Sequence, residues 1–256
     1  MIDTHCHLDD EAYKDDLDAV IERAKSVNIR KILIPGIDTT NVGSIRQVCQ
    51  KYPNYALPAI GLHPENIAEN YREQLTNLYK SLCEHDDWVA IGEIGLDYHF
   101  DKTFVREQRD ALEEQLQWAR EKDLPVMIHS RDATQDMEAM LTEAAKLGNR
   151  GVLHCFTGSY ETAKKYLDYG WKLGIGGVLT FKNSKLHEVL VRLPLSSIVL
   201  ETDGPYLAPT PHRGTRNESA YIPLVAERLA QIYNTTVEQI DYQTDQTAQE
   251  LFRIEI

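Results

Sequence analysis

Short apolar runs separated by amphipathic stretches recur along the whole chain, and this alternation constrains the fold more than any other feature. The runs cover residues 1–4, 31–34, 56–61, 89–91, 125–128, 151–153, 172–175 and 198–200. Most of the stretches between them carry helical spacing, as in Leu17, Val20, Ile21 and Ala24, or Leu112, Leu116 and Ala119. Strand and helix in strict alternation mean parallel pairing with crossover helices. Eight such units in 256 residues predict an α/β fold, specifically a (β/α)8 TIM barrel rather than an open doubly wound sheet. No low-complexity tract, Ser/Gly linker or repeat interrupts the pattern, so residues 1–256 read as a single domain.

Composition removes several function classes. A net charge of -13 argues against a protein that grips nucleic acid through a broad basic surface. Such a chain still acts on a phosphate ester if bound cations make its cleft locally positive. No window holds the roughly 18 consecutive apolar residues of a membrane span, and Met1 begins the first run without a basic or apolar leader. The expected location is cytoplasmic, with no membrane partner and no obligate protein partner. Cys6, Cys49, Cys83 and Cys155 are scattered and form no C-x-x-C pair, so reduced thiols are expected. Cys155 reads as a buried structural thiol, turned away from the face that its neighbour His154 uses.

The opening Met-Ile-Asp-Thr-His-Cys-His places His5 and His7 two positions apart on the first run. On a strand, residues i and i+2 face the same side, so both rings aim at one point while Cys6 points away. With nine histidines in the chain, one such pair arises by chance about a third of the time. The pair gains weight from what ends the other runs. Glu93 closes Val-Ala-Ile-Gly-Glu, His129 closes Pro-Val-Met-Ile-His, His154 closes Gly-Val-Leu-His, and Asp203 closes Ile-Val-Leu-Glu-Thr-Asp. In a parallel barrel the C-terminal strand ends share one face, where the active site is built. Strands 1, 4, 5, 6 and 8 would therefore deliver His5, His7, Glu93, His129, His154 and Asp203 to a common pocket. Four imidazoles and two carboxylates exceed the three protein ligands of one catalytic zinc, and suggest two divalent ions. Glu93, on the strand between the two histidine groups, is the candidate bridge.

The same residues lie in blocks that resemble a known family. Ile-Asp-Thr-His-Cys-His-Leu-Asp (2–9), Gly-Glu-Ile-Gly-Leu-Asp-Tyr (92–98), His-Ser-Arg-Asp-Ala (129–133), Leu-His-Cys-Phe-Thr-Gly (153–158) and Glu-Thr-Asp-Gly-Pro-Tyr-Leu-Ala-Pro (201–209) are similar to the TatD family of metal-dependent deoxyribonucleases, within the amidohydrolase-like barrels. The resemblance implies a barrel, a divalent-metal site and phosphodiester hydrolysis, often 3′ to 5′ on single-stranded ends. Carried over position by position, it implies one metal on His5, His7, Glu93 and Asp203 and a second on Glu93, His129 and His154. Gly204 departs from the family's Glu-Thr-Asp-Ser-Pro and removes a hydroxyl beside a ligand. The metal site is expected to tolerate the exchange.

A phosphodiester has an anionic backbone and a poor leaving group, so the site must activate water and neutralise charge. Metal-activated water with Asp203 as general base or orienting group answers the first need. Arg131 and Arg213 are candidates for bidentate phosphate binding. His63, in Gly-Leu-His-Pro, either contacts the scissile phosphate or, with Glu201, holds a third, transient cation. Glu201 pairs with Asp203 in acid-base work or supports it from one step deeper. Asp97 orients a ligand or forms a turn. Tyr98, Phe156 and Tyr206 lie near the ligand strands, where they stack nucleic-acid bases or simply pack, and Tyr206 is the substrate-binding candidate. His85 and His187 read as surface residues, and His99 stays open between a loop role and a site role. Mg²⁺, Mn²⁺ and Zn²⁺ all accept this donor set. The expected substrate is DNA, with RNA as a further polymer. The alternative reading keeps the barrel and changes the bond: an amidase or esterase such as an aminoacyl-tRNA deacylase. A metal-binding scaffold without catalysis is the remaining rival.

Overall fold

A computed structural model describes residues 1–99 and 101–256. Eight strands pair in parallel and in sequence order: β1 (Ile2–Asp3), β2 (Lys31–Ile34), β3 (Ala56–Ile60), β4 (Ala90–Asp97), β5 (Val126–Arg131), β6 (Gly151–Leu153), β7 (Lys172–Ile175) and β8 (Ile198–Leu200). The sheet closes on itself where Thr4 N–H donates to Leu200 O at 3.0 Å and Cys6 bridges in parallel to Gly204. Helices α1 (Leu17–Ser26), α2 (Val42–Lys51), α3 (Tyr71–Glu84), α4 (Val105–Lys122), α5 (Thr134–Lys146), α6 (Tyr160–Asp168), α7 (Leu186–Leu190), α8 (Ile222–Tyr233) and α9 (Val237–Phe252) alternate with them. The expected (β/α)8 TIM barrel is the observed fold.

Side-chain alternation along the strands sorts the core into two layers. Ile2, Leu33, Ala59, Ala90, Met127 and Val152 pack inside the barrel with Val199, and the end of α9 joins them through Ala248, Leu251 and Phe252. The outward residues, among them Ile32, Ile60, Ile91, Ile128 and Leu173, bury against the helices. The ninth helix thus seals the N-terminal end of the barrel, and the opposite end is left for chemistry.

Two strands differ from the sequence expectation. β1 is only two residues long, and His5 and His7 lie beyond it, although the chain stays extended between its neighbours. Cys6 N–H donates to Leu33 O at 3.0 Å, and His7 N–H to Gly204 O at 2.8 Å. β4 does not stop at Glu93 but continues to Asp97. Its register against β5 slips between Ile91 and Ile94, where β4 spends one more residue than its partner. Such a bulge re-aims a side chain, and the residue concerned is Glu93. Gly95 makes the continuation feasible: its φ is +154°, and a Cβ there would overlap His129 O.

Candidate metal centre

The site forms where the extended segments after β1, β3, β6 and β8 meet the middle of β4 and β5. Glu93, 2% exposed, stands at its centre. Its backbone is held by Glu93 N–H to Gly36 O at 2.8 Å and Gly36 N–H to Gly92 O at 2.7 Å. The two carboxylate oxygens divide the imidazoles. Oε1 lies 2.8 Å from His129 Nδ1, 2.9 Å from His154 Nε2 and 3.2 Å from His63 Nε2. Oε2 lies 3.1 Å from His5 Nε2 and 3.9 Å from His7 Nε2. Asp203 Oδ1 joins the second group, 3.8 Å from His5 Nε2 and 3.6 Å from His7 Nε2. The rings of His5 and His154 stack at 4.0 Å between centroids and bring the two groups together.

All six expected ligands therefore converge. His5, His7 and Glu93 form one cluster of donor atoms close enough to share an ion; His5, His154 and Asp203 form another, and His63, Glu93 and His129 a third. A donor set of imidazole and carboxylate suits a divalent cation. His5 and His154 turn Nε2 toward Glu93, and these nitrogens, with the Glu93 and Asp203 oxygens, are the donors that gather at the centre. The residues fit the group that the fold implies.

The electrostatics follow from the crowding. Burial alone would raise Glu93, but the charges of His154, His63 and His5 and the bond from His129 hold it well below the usual carboxylate range. Burial opposes a proton on His154, yet the Glu93 carboxylate lifts it to about 10. His129 is lifted to about 9 against its burial by bonds to Asp97 and Glu93. Burial and the neighbouring His154 push His5 down to about 4. Asp203 lies below its ordinary value: burial would raise it, but the bond from His7 and the charge of His154 prevail. Burial lifts Glu201 to about 8 in spite of His154.

His63 lies three residues past β3, and its Nδ1 accepts the Glu65 N–H at 3.1 Å. A neutral ring with Nδ1 as acceptor carries its proton on Nε2, so it presents a donor, not a lone pair, to the site. His63 and Glu201 do not come together. His63 faces Glu93, whereas Glu201 sits behind His154, with its Oε1 3.8 Å from His154 Nδ1 and accepting Cys155 N–H at 2.5 Å. Glu201 and Asp203 both lie past β8, which ends at Leu200, and Asp203 adopts a left-handed φ of 57°. Cys155 has left the strand too, with φ 46°, and is partly rather than fully buried.

Asp97 fills both roles weighed for it. Its Oδ2 is 2.8 Å from His129 Nε2, and its Oδ1 accepts the His99 N–H at 2.8 Å. His99 in turn bonds Asp132 at 2.7 Å. Arg131 ends β5 and is exposed. Tyr206 is 55% exposed at the rim, its ring 6.2 Å from that of His7. Tyr98 donates to Asp136 at 2.9 Å and Phe156 is buried, so both pack rather than face solvent. Arg213 is exposed, with its guanidinium 3.6 Å over the Phe181 ring. His85 and His187 are half-buried and away from the cluster.

Two further residues build the site without having stood out in the sequence. Asp3 accepts bonds from His5 N, Thr202 N, Thr202 Oγ1 and Ser219 Oγ, tying the end of β1 to the turn that bears Asp203. Its place two before His5 is a usable signal, since Asp3, His5 and His7 share the strand period. Asn217 donates to Thr202 O and Tyr206 O, both at 2.7 Å, and nothing local in the sequence marks it. Gly204 has a structural reason. A Cβ there would overlap the Tyr13 hydroxyl and come 3.0 Å from Cys6 Sγ, so Tyr13 occupies the space that a serine needs.

A parallel barrel whose C-terminal mouth gathers five imidazoles around one buried glutamate defines a class, the metal-dependent hydrolase barrels. The family model described as TatD related DNase matches residues 2–253, and the chain belongs to that family. An uncharacterized metal-dependent hydrolase of Bacillus subtilis, YabD, is 40% identical over 255 residues, covering 99% of each chain. The 3′-5′ ssDNA/RNA exonuclease TatD of Pantoea ananatis is 31% identical over 258 residues, covering 98% of this chain and 99% of its own. The crystal structure of the Escherichia coli TatD homologue YjjV superposes with a TM-score of 0.92 at 30% identity, over 100% of this chain and 98% of that one. The protein is accordingly a metal-dependent hydrolase of the TatD family. Among the described residues, no helix is long and apolar enough to cross a membrane.

Proposed function

We propose that the protein hydrolyses phosphodiester bonds of DNA, working 3′ to 5′ on single-stranded ends at a two-metal centre. The observation that carries this reading is the division of labour at Glu93, whose oxygens face different histidine groups. In it, His5, His7, Glu93 and Asp203 would hold one divalent ion, and Glu93, His129 and His154 would hold the second. Such ions supply Lewis acidity, which lowers the pKa of a water and offsets phosphate charge.

The chain's own residues do the rest. Asp203, kept ionised by His7, orients the attacking water and takes its proton. His63 donates from Nε2 to a nonbridging phosphate oxygen. Arg131 and Arg213 clamp phosphate oxygens bidentately, and the exposed ring of Tyr206 stacks on the terminal base. Glu201 touches no reacting atom and acts as a positioning residue behind His154. The relative named as an exonuclease supports the substrate class, and the exposed Tyr206 ring beside His7 supports a base at the rim.

The test is to incubate the protein with Mg²⁺, Mn²⁺ or Zn²⁺ and 5′-labelled single-stranded DNA, RNA, or D-aminoacyl-tRNA. A ladder shortening from the 3′ end is expected with DNA, and Glu93→Ala should abolish it while circular dichroism stays that of a folded barrel. Deacylation without strand cleavage, or near-wild-type turnover by Glu93→Ala, would overturn the reading.

A further inference from the structure

The chain carries 40 acidic residues against 27 basic ones, and most of its lysines and arginines are spent on carboxylates. Arg23, Arg30, Arg46, Arg150, Arg216 and Arg253 all form such pairs. Of the cations without an ion pair, five gather on one stretch of surface. Lys182, Lys185, Arg192, Arg213 and Arg228 make no ion pair among the described residues; Arg228 only donates to Gln231 at 2.9 Å. They are contiguous. Phe181, Lys182 and Arg228 line one groove of about 350 Å³, Lys185 and Arg192 line the next, of about 500 Å³, and Ser184 belongs to both. Glu161, Glu188 and Glu227 border the same grooves, so four cations face three carboxylates there, with Arg213 beside them on Phe181, in a protein that is otherwise strongly acidic.

Two of the arginines are held in the same way. The Arg213 guanidinium lies 3.6 Å over the ring of Phe181, and that of Arg192 3.4 Å over Tyr160. Stacking fixes the guanidinium plane and desolvates one face, while all five N–H donors stay free at the edge. An arginine spared from salt bridges and backed by an aromatic is preorganised for an oxyanion. The strip also begins on the loop that leaves the C-terminal end of β7. It follows β7, whose Gly174 lies against the Glu201 carboxylate and His154, and Thr210 N–H locks it to the loop after β8 through Thr180 Oγ1 at 2.8 Å. In TIM barrels the loops after strands 7 and 8 frequently form the phosphate site.

We infer that this strip is a backbone track for single-stranded nucleic acid, holding phosphates several nucleotides from the bond that is cut. The inference rests on the phosphodiesterase reading above and adds where the polymer lies. A positive groove with interleaved aromatic rings is the common design for sequence-independent single-strand binding. It gives the enzyme a preference for strands over dinucleotides and a steep salt dependence.

The test uses the triple variant Lys182→Gln/Lys185→Gln/Arg192→Gln and a control, Lys25→Gln/Lys80→Gln/Lys146→Gln, drawn from helix-surface pairs. Binding of a fluorescent single strand of about 20 nucleotides is followed by anisotropy in EDTA, where no cleavage occurs, across a salt series. Each lost phosphate contact flattens the slope of log K against log[salt] by about 0.7 for a single strand, so the triple variant should flatten it by about 2 and bind about tenfold more weakly or worse. The control should match wild type. With metal, the wild-type preference for the long strand over a dinucleotide should collapse in the triple variant alone. If wild type cuts strands and the triple variant keeps its slope, affinity and length preference, the track is wrong and the phosphodiesterase reading stands. If wild type cuts no strand of any length, that reading falls first, and the anisotropy slope decides the track by itself.

Discussion

At the scale of single residues, the centre is a set of shared carboxylate oxygens, and its weak points are the groups that aim the imidazoles. Asp97 bonds the Nε2 of His129 at 2.8 Å while Glu93 meets Nδ1 on the other side, the arrangement in which a carboxylate behind a histidine fixes its tautomer. Asp97→Asn should keep the fold and lower divalent-ion affinity about 10- to 100-fold, measured by isothermal titration calorimetry; unchanged affinity would remove Asp97 from the centre. The convergence of the six candidate ligands was legible because each ends or follows a short apolar run, so topology alone gathers them. The Asp97–His129 bond and the Asn217 clamp were not, since both depend on side-chain reach between elements. The sparing of Gly204 by Tyr13 is of the same kind, a contact between residues far apart in the chain that no local pattern announces.

At the scale of elements, β4 decides the geometry. The alternation of apolar residues predicted a strand ending near Glu93, whereas the strand runs on to Asp97 through a one-residue register slip. Sequence patterns count residues of one strand, but a bulge is a mismatch between two, so it stayed invisible. Gly95 is its local requirement, with φ +154° and no room for a Cβ against His129 O. Gly95→Ala should cost about 3 kcal/mol or more of stability, because strain and overlap with rigid backbone add. Chemical denaturation checks this, and a loss under about 1 kcal/mol would mean that the bulge relaxes. The variant should also lose metal affinity, since His129 and Glu93 flank the position.

At the scale of the whole molecule, the barrel was legible from strand and helix alternation, but the role of α9 was not. An amphipathic pattern reports that one face is buried, and it cannot tell a crossover helix from one that seals the barrel floor. Charge is likewise distributed with purpose: protons and metal ions compete for one buried cluster. In the metal-free protein His154 and His129 stay protonated to about 10 and 9, above the free histidine value of about 6.5. Their contribution to stability is full below about pH 6.5 and disappears as pH rises through 9 to 10. His5, pushed down to about 4, works in the opposite sense and withdraws its contribution as pH falls through 4. Metal binding needs unprotonated imidazoles and so releases protons. The gain in Tm on adding excess divalent ion should therefore grow between about pH 6 and 9, measured by thermal shift against a chelated control. A gain that shrinks with pH would contradict protonated His154 and His129 in the metal-free protein.

The seam that closes the barrel also sets a timetable for synthesis. Thr4 and Cys6 find their partners at Leu200 and Gly204, and Ile2 packs against the end of α9. His5 meets Glu93 once β4 has been made, but the segment that carries His5 and His7 gains its second flank only when residues 200–204 follow. Until then the growing sheet keeps one unpaired edge beside these two candidate ligands, a state prone to wrong pairing. The candidate donor set is complete only once Asp203 has joined His5 and His7.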